Sequence, residues 1–271
     1  MSTSYKNSMK IGFIGLGNMG SAMIGGLISN NVVSAHDIIG ADASFERTEK
    51  MEKEYGIDVT ASNNTAARAD IVVTSVKPQV YEAVIEDIKD TVSDNTVIIS
   101  IAPGKTLDWL REKYGRPVKL VRCMPNTPAL VGEGCTGVCR NELVSDEEFA
   151  TVLKILNSFS RAYEVQESQM DAVVAVSGSS PAYVFMLIEA MADGAVAEGL
   201  PRKTAYEMAA QAVLGSAKMV LDTGKHPGEL KDMVCSPAGT TIDAVTVLEE
   251  MGFRSAVIEA ERTCAAKSRS M

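Results

Sequence analysis

Short apolar runs alternate with helical stretches over the first 165 residues, and this alternation constrains the fold more than any other feature of the chain. The runs are almost continuously apolar and rich in Ile and Val, which is typical of strands buried on both faces of a parallel sheet. The pattern therefore predicts a doubly wound α/β sheet. The predicted strands are Lys10–Ile14, Ile38–Ala41, Asp70–Ser75, Thr96–Ile101 and Lys119–Cys123, and the predicted helices are Met19–Ser29, Phe45–Tyr55, Gln79–Lys89 and Thr106–Tyr114.

The character of the chain changes near residue 168, and no strand is predicted after Ser180. Pro181–Glu198 reads as a helix with Ser180 as its N-cap, and Arg202–Asp222 reads as a second helix. Both are apolar on more than one face and need a cover. Either they pack on the sheet domain, or two chains interleave them, which is the interpretation we favour. The predicted domains are 10–165 and 168–271.

Composition excludes several classes of function. A net charge of −9 without a basic patch disfavours nucleic-acid binding and attachment to anionic membranes. Five cysteines, an odd number without regular spacing, predict a reduced, cytoplasmic protein with no metal site. The uncharged run from Ile11 to His36 mimics a signal peptide, but its glycines and asparagines make it a poor apolar segment, so we predict neither export nor a membrane span. Met1–Met9 is interpreted as a loose leader.

The glycine pattern Gly15-x-Gly17-x-x-Gly20 follows the first predicted strand and opens a helix. In this context Gly15 permits a tight turn, Gly17 allows a close approach of a pyrophosphate, and Gly20 lets helix and strand pack closely. The helix start adds free N–H groups and the positive end of a dipole. The pattern predicts a dinucleotide site, and the alternative is a merely tight turn.

Asp42 ends the second predicted strand, where an acidic residue commonly bonds a ribose hydroxyl and favours NAD. Ser44 and Arg47 follow closely and could serve the extra phosphate of NADP, with Lys50 on the same helix face. Asp42 could instead cap the next helix. The preference between the two cofactors therefore stays open.

Several stretches together resemble the pyrroline-5-carboxylate reductase family over residues 10 to about 268. The segment from Lys231 to Ile242 and the His226-Pro227-Gly228 triplet carry the resemblance more specifically than the glycine loop does. The matching stretches are Phe13-Ile-Gly-x-Gly-Asn-Met-Gly20, Val76-Lys77-Pro78, Met124-Pro125-Asn126-Thr127-Pro128, Val176-Ser177-Gly178-Ser179-Ser180-Pro181-Ala182-Tyr183, His226-Pro227-Gly228 and Lys231-Asp232-Met-Val-Cys-Ser-Pro-x-Gly-Thr-Thr-Ile242.

The resemblance implies reduction of pyrroline-5-carboxylate to L-proline with NADPH or NADH. It implies an N-terminal Rossmann-like sheet with an all-helical C-terminal dimerisation domain, and a homodimer that in many members assembles into a decamer of five dimers. Substrate and product are then the small-molecule partners, with no nucleic acid and no membrane. The cofactor contacts it implies are Gly15, Leu16, Gly17, Asn18, Met19, Gly20, Asp42, Ser75, Val76, Lys77, Pro78, Ile101, Ala102 and Asn126.

The same resemblance places the substrate in the loop Ser236–Thr241. Ser236 and the backbone at Gly239 and Thr240 would hold the carboxylate, and the Thr241 hydroxyl would orient the imine nitrogen as the catalytic group. Three positions depart from the family pattern. Asp42 replaces a common Ser or Thr, Pro103 replaces an Ala, and Ala238 replaces a Gly.

Two other functions fit part of the sequence and compete with the reductase. A β-hydroxyacid dehydrogenase would use a helix lysine with an asparagine one turn later. Lys218 offers the lysine, but Leu221 stands at the asparagine position. A non-catalytic dinucleotide-binding regulator would not need the small anion-binding loop that ends at Thr241.

Overall fold

The computed structural model describes residues 9–270, which form two compact units. The first unit extends to Ser179 and takes in the segment from Cys264 onward, and the second is Ser180–Thr263. This division lies after the boundary near residue 168 that the sequence suggests. Apart from Met9, the predicted leader falls outside the described residues.

An eight-stranded sheet forms the centre of the first unit. Its strands are β1 (Ile11–Ile14), β2 (Ile38–Ala41), β3 (Asp58–Thr60), β4 (Ile71–Thr74), β5 (Val97–Ser100), β6 (Lys119–Met124), β7 (Gly134–Arg140) and β8 (Ser160–Glu164). They lie in the order β3-β2-β1-β4-β5-β6-β7-β8, and only the β6–β7 pair is antiparallel. The predicted doubly wound sheet and its five strands are confirmed.

Three strands were not predicted, because their sequences lack an apolar run. β3 and β8 are short or polar edge strands with exposed residues. β7 is largely buried but contains glycine, and a Cβ at Gly137 would lie 2.6 Å from Val173 Cγ1. The missing side chain thus makes room for a neighbouring element and weakens the strand signal at the same time.

Helices cover both faces of the sheet. They are α1 (Asn18–Ser29), α2 (Phe45–Tyr55), α3 (Asn63–Ala66), α4 (Tyr81–Ile88), α5 (Leu107–Tyr114) and α6 (Asp146–Leu156). Successive strand residues such as Val72 and Val73 belong to two different apolar clusters, one on each face. The sheet is therefore buried on both sides, which explains why its strands read as continuous apolar runs. The predicted helix Gln79–Lys89 is shorter than expected, because a 3-10 turn over Pro78–Val80 precedes α4.

The expected helix start at Pro181, with Ser180 as N-cap, is wrong. The chain is already helical from α7 (Met170–Val173), widens to a π-helix over Val174–Ser179, and continues as α8 (Ser180–Ala197). A proline inside a helix removes a hydrogen-bond donor and crowds the preceding turn. A wider π turn lies just before Pro181, and the helix continues through the proline without a break.

The second unit is helical throughout. It contains α8, α9 (Arg202–Thr223), α10 (Pro227–Val234), α11 (Thr240–Glu250) and the first part of α12 (Phe253–Arg269). The predicted absence of strands after Ser180 holds for residues 180–270, and the predicted second helix extends one residue further.

Helices α8 and α9 pack against each other but leave much apolar surface exposed. All residues of both helices are described. In α8 only Ala192 is buried, and in α9 only Ala205 and Ala209 are buried. Phe185 and Met186 are 62% and 69% exposed. By length and composition alone, the helical run Glu167–Ala197 could also cross a membrane. Such apolar helices need a cover that a single chain does not supply.

Candidate functional site

The glycine loop connects β1 to α1, and its backbone requires glycine at two positions. Gly15 has a φ of +98°, and a Cβ there would lie 2.7 Å from the Ser75 carbonyl oxygen. A Cβ at Gly20 would lie 2.4 Å from the Gly15 carbonyl oxygen. By contrast, no atom lies within 4 Å of a Cβ built at Gly17, so this part of the loop faces open space. The loop is therefore closed on the protein side and open on the ligand side.

The start of α1 offers an anion site. Gly17 is its N-cap and provides no side chain to bond the first N–H groups. Such uncapped N–H groups, together with the helix dipole, favour a negatively charged ligand. The loop is also fastened from below, since Ser75 Oγ donates to the Gly15 carbonyl at 2.6 Å. This cradle fits the pyrophosphate of a dinucleotide.

A cleft of about 860 Å³ opens beside this loop, at the point where the strand order reverses between β1 and β4. Ligands of doubly wound sheets bind at such a switch point. Ten of the predicted cofactor residues line the cleft, namely Gly15, Leu16, Gly17, Asn18, Met19, Asp42, Ser75, Val76, Lys77 and Ile101. Asn63 and Met51 also line the cleft, and neither belongs to a motif by which the sequence alone could reveal it.

Four predicted cofactor residues do not line the cleft. Gly20 lies inside α1, where its role is close packing against the loop. Pro78 opens the 3-10 turn before α4, and Ala102 is buried. Asn126 is also buried, and its amide is bonded to backbone groups at both ends.

Asp42 bonds the backbone on two sides. One carboxylate oxygen accepts from Leu16 N in the glycine loop at 2.8 Å, and the other accepts from Ser44 N at 2.9 Å. Arg47 Nη1 lies 3.4 Å from the same carboxylate. The helix cap of α2 is Ser44, whose side chain accepts from Arg47 N, so Asp42 is not itself the cap.

The cleft carries more positive than negative side chains. Arg47, Lys50 and Lys77 line it together with Asp42. Within residues 9–270, neither Lys50 nor Lys77 forms an ion pair. This balance suits a ligand with several phosphates.

The predicted substrate residues lie in the second unit, Ser236 and Gly239 in the loop between α10 and α11 and Thr240 and Thr241 in the first turn of α11. Gly239 N donates to the Ser236 carbonyl at 3.1 Å and closes a turn whose third residue, Ala238, has a φ of +53°. Because Gly239 N is used by the turn, it is not offered to a ligand. Helix α11 then starts at Thr240 with Gly239 as N-cap and no side-chain cap. Thr241 is half-buried, whereas Ser236 and Thr240 are exposed.

The structure does not favour acid–base chemistry at Lys218 or a cysteine nucleophile. Lys218 is exposed on α9 and pairs with Asp222 at 2.6 Å. Burial raises the pKa of the Cys139 thiol to about 12, with Glu167 adding to the rise and Arg122 opposing it. Burial raises the pKa of Cys123 and Cys135 as well. In the described part of the chain, no group of three or more His, Cys, Asp or Glu side chains could hold a metal ion.

Two family models match the chain. Residues 167–271 match pyrroline-5-carboxylate reductase dimerisation, and residues 10–104 match NADP oxidoreductase coenzyme F420-dependent. The first match explains the exposed apolar helices, since a dimerisation domain is covered by another copy of the chain. It indicates a homo-oligomer.

Full-length relatives agree with the C-terminal match. The chain is 51% identical to pyrroline-5-carboxylate reductase of Escherichia coli over 97% of its own length and 98% of that protein. Its fold is similar to a pyrroline-5-carboxylate reductase structure from Coxiella burnetii, with a TM-score of 0.92 at 34% identity and coverage of 97% and 98%. It is also similar to a Plasmodium falciparum pyrroline carboxylate reductase with NADP bound, with a TM-score of 0.87 at 35% identity and 97% coverage of each chain. The chain belongs to the pyrroline-5-carboxylate reductase family.

Proposed function

We propose that the chain reduces 1-pyrroline-5-carboxylate to L-proline by hydride transfer from NADPH or NADH, the last step of proline biosynthesis. The observation that carries this proposal is the 51% identity to the Escherichia coli reductase over nearly the whole of both chains. The cleft beside the glycine loop and the uncapped start of α11 support it, because the reaction needs a dinucleotide and a small carboxylate to be held.

The cofactor would be held along the cleft. The backbone of Gly15, Leu16, Gly17, Asn18 and Met19 and the start of α1 would hold the pyrophosphate. Asp42, Arg47 and Lys50 would hold the adenosine end. Ser75, Val76, Lys77 and Ile101, which line the cleft, would hold the nicotinamide side. When bound, the cofactor supplies the hydride.

The substrate carboxylate would be held at the start of α11. The N–H groups of Thr240 and Thr241 and the Ser236 hydroxyl are the donors, whereas Gly239 N is already used by the turn. A Cβ at Gly239 would meet Ser236 Oγ, so the glycine leaves room for this hydroxyl. The Thr241 hydroxyl would bond the ring nitrogen and fix the orientation of the imine. Holding the ring in place is the main contribution of such a site to the rate.

We further propose that the unit of function is a homodimer in the cytoplasm, which assembles into a decamer of five dimers. The functional boundary between the dinucleotide domain (10–165) and the dimerisation and substrate domain (168–271) is part of this proposal. The exposed apolar faces of α8 and α9 support the dimer, because they leave large apolar side chains such as Phe185 and Met186 in contact with solvent.

An activity assay on the purified protein tests the function. Reduction of 1-pyrroline-5-carboxylate is followed with NADPH and with NADH, and L-proline oxidation is followed at high pH with NADP and with NAD. A 3-hydroxy acid serves as the control substrate. We expect turnover of pyrroline-5-carboxylate and proline and none of the hydroxy acid. Turnover of the hydroxy acid alone would point to the dehydrogenase, and cofactor binding without turnover would point to a regulator.

A further inference from the structure

Asn126, just beyond strand β6, joins two parts of the first unit through one buried amide. Its Nδ2 donates to the Ser177 carbonyl in the π-helical segment at 2.9 Å. Its Oδ1 accepts from Cys135 N in β7 at 2.8 Å. Both ends of the amide are therefore bonded to backbone, and Asn126 is 7% exposed.

The carbonyl that Asn126 bonds has a specific need for a donor. Ser177 lies near the end of the π-helical segment, where the chain returns to the α-helix that starts at Ser180. In the α-helical register a carbonyl accepts from the N–H of the residue four positions later. For Ser177 that residue is Pro181, which has no N–H. A buried carbonyl without a donor costs free energy comparable to a lost hydrogen bond. The Asn126 amide gives this carbonyl a donor at 2.9 Å, at a place where Pro181 offers no N–H.

The helical segment also packs closely against strands β6 and β7 at two glycines. A Cβ at Gly178 would lie 3.2 Å from Met124 Cε, and a Cβ at Gly137 would lie 2.6 Å from Val173 Cγ1. The glycines thus allow the helical segment to lie directly on β6 and β7, and the amide provides the polar bond in that contact.

We propose that Asn126 is a positioning residue, which replaces the hydrogen-bond donor that Pro181 lacks and thereby fixes the π-helical segment Val174–Ser179 on the sheet. This differs from the cofactor contact that the family resemblance implies, because Asn126 is buried, does not line the cleft and already bonds backbone through both polar atoms of its amide. The Met-Pro-Asn and Ser-Ser-Pro motifs, distant in sequence, are coupled through this one bond.

A double-mutant cycle tests the coupling, using the full-length protein and thermal unfolding. We expect Asn126→Ala to lower the unfolding midpoint by about 4–8 °C, since the Ser177 carbonyl and Cys135 N both lose their partner. Pro181→Ala restores a backbone N–H, so Asn126→Ala with Pro181→Ala should recover at least half of that loss. Additive effects of the two substitutions would overturn the proposal. If Asn126→Ala fails to fold, recovery of soluble oligomer in the double variant replaces the midpoint as the measurement, and no recovery overturns it.

Asn141 provides a matched control. Its amide makes the same two kinds of bond within the sheet, donating to the Val118 carbonyl at 2.8 Å and accepting from Leu120 N at 3.1 Å. Asn141→Ala should lower the midpoint comparably, and Pro181→Ala should recover none of that loss. Equal recovery in both backgrounds would mean that Pro181→Ala merely stabilises the helix, which overturns the coupling.

Cofactor affinity separates a positioning role from a ligand role. NADPH is titrated against the folded variants by fluorescence. We expect the dissociation constant for NADPH of Asn126→Ala to stay within about threefold of the native value. The activity that Asn126→Ala loses should be restored when Pro181→Ala is added. A rise of tenfold or more that Pro181→Ala does not reverse would make the amide a cofactor ligand and overturn the proposal. The unfolding cycle needs no substrate, so its outcome is independent of the proposed function.

Discussion

The Asp42 carboxylate lines the cleft, and in the proposed cofactor site it would act on cofactor preference in two ways. It anchors the glycine loop through Leu16 N, and in the proposed cofactor site it would place a negative charge close to the additional phosphate of NADP. At about 5 Å and an effective dielectric constant of 20, repulsion between two unit charges is roughly 3 kcal/mol before screening. Arg47, which already contacts the carboxylate, offsets part of this repulsion. We therefore expect the protein to use both cofactors.

Two substitutions at Asp42 separate the charge from the anchor. Asp42→Asn removes the charge and keeps one acceptor, so it should raise the kcat/KM for NADPH relative to NADH about tenfold, or about 1.4 kcal/mol. Asp42→Ala also removes the anchor and should lower kcat/KM with both cofactors. Steady-state kinetics with each cofactor measures both effects. An unchanged ratio in Asp42→Asn would leave Asp42 as an anchor only.

Arg47 provides the opposite change at the same place. Arg47→Ala removes the cation nearest to Asp42, so the kcat/KM ratio should move toward NADH by about tenfold. Lys53→Ala is the control, because Lys53 lies on the same helix but pairs with Glu49 at 2.9 Å and does not line the cleft. If both variants shift the ratio equally, the effect is one of net charge and not of a specific contact.

The Thr241 hydroxyl should matter for turnover and not for cofactor binding. Thr241→Ala removes one oriented hydrogen bond to the substrate, at a cost of about 1–3 kcal/mol, so kcat should fall by roughly 5- to 150-fold with little change in the KM for cofactor. Thr246→Ala, further along α11, is the control, because its hydroxyl bonds the Ile242 carbonyl of its own helix. A raised cofactor KM with native kcat would remove Thr241 from the substrate site.

At the scale of elements, the turn before α11 contains an alanine in an unfavourable conformation. Ala238 has a φ of +53°, a region that costs an L-residue roughly 1–2 kcal/mol. Ala238→Gly should therefore raise the free energy of unfolding by about 0.5–1 kcal/mol, after the added entropy of the unfolded chain is subtracted. Chemical denaturation measures this change. Ala244→Gly, inside α11, should have the opposite sign, with a loss of about 1 kcal/mol.

The sequence predicted those elements whose local pattern and tertiary environment agree. The strands β1, β2, β4, β5 and β6 are buried on both faces, so their apolar runs were sufficient. β7 could not be predicted, because Gly137 weakens the apolar pattern of the strand. The glycine makes room for Val173, a residue distant in sequence. The same holds for the helix through Pro181, whose continuity depends on a π turn and on Asn126. Local rules indicate a helix start at a proline, and here the π turn and the tertiary contact with Asn126 override them.

The candidate site was predictable to a similar degree. The glycine loop and Asp42 are motifs, and they line the cleft. Two hydrogen-bonding arrangements could not be predicted. The Gly239 N–H bonds a carbonyl of its own turn, and the Asn126 amide bonds backbone groups at both ends. Such partners depend on the folded backbone. Motif resemblance identifies positions, whereas the availability of each polar atom is a property of the structure.

At the scale of the molecule, the apolar faces of the second unit should disappear on assembly. We expect light scattering to give a dimer or a larger species and no monomer of about 29 kDa. Phe185→Asp places a charge on such a face and should dissociate the assembly with loss of activity. Val131→Asp is the control, since Val131 is 77% exposed but lies in the first unit. A fully active monomer would contradict the assignment of this surface.

The single antiparallel pair of the sheet has a consequence for the order of folding. β6 and β7 are separated only by residues 125–133, whereas each parallel pair must wait for a longer crossover to close, such as residues 15–37 between β1 and β2. Loop closure costs less entropy for the shorter connection, and local pairs form faster. We expect β6 and β7 to acquire amide protection before the rest of the sheet in pulse-labelled refolding. The parallel strands β1, β2, β4 and β5 would then be added to a hairpin that already contains the attachment point of the helical segment.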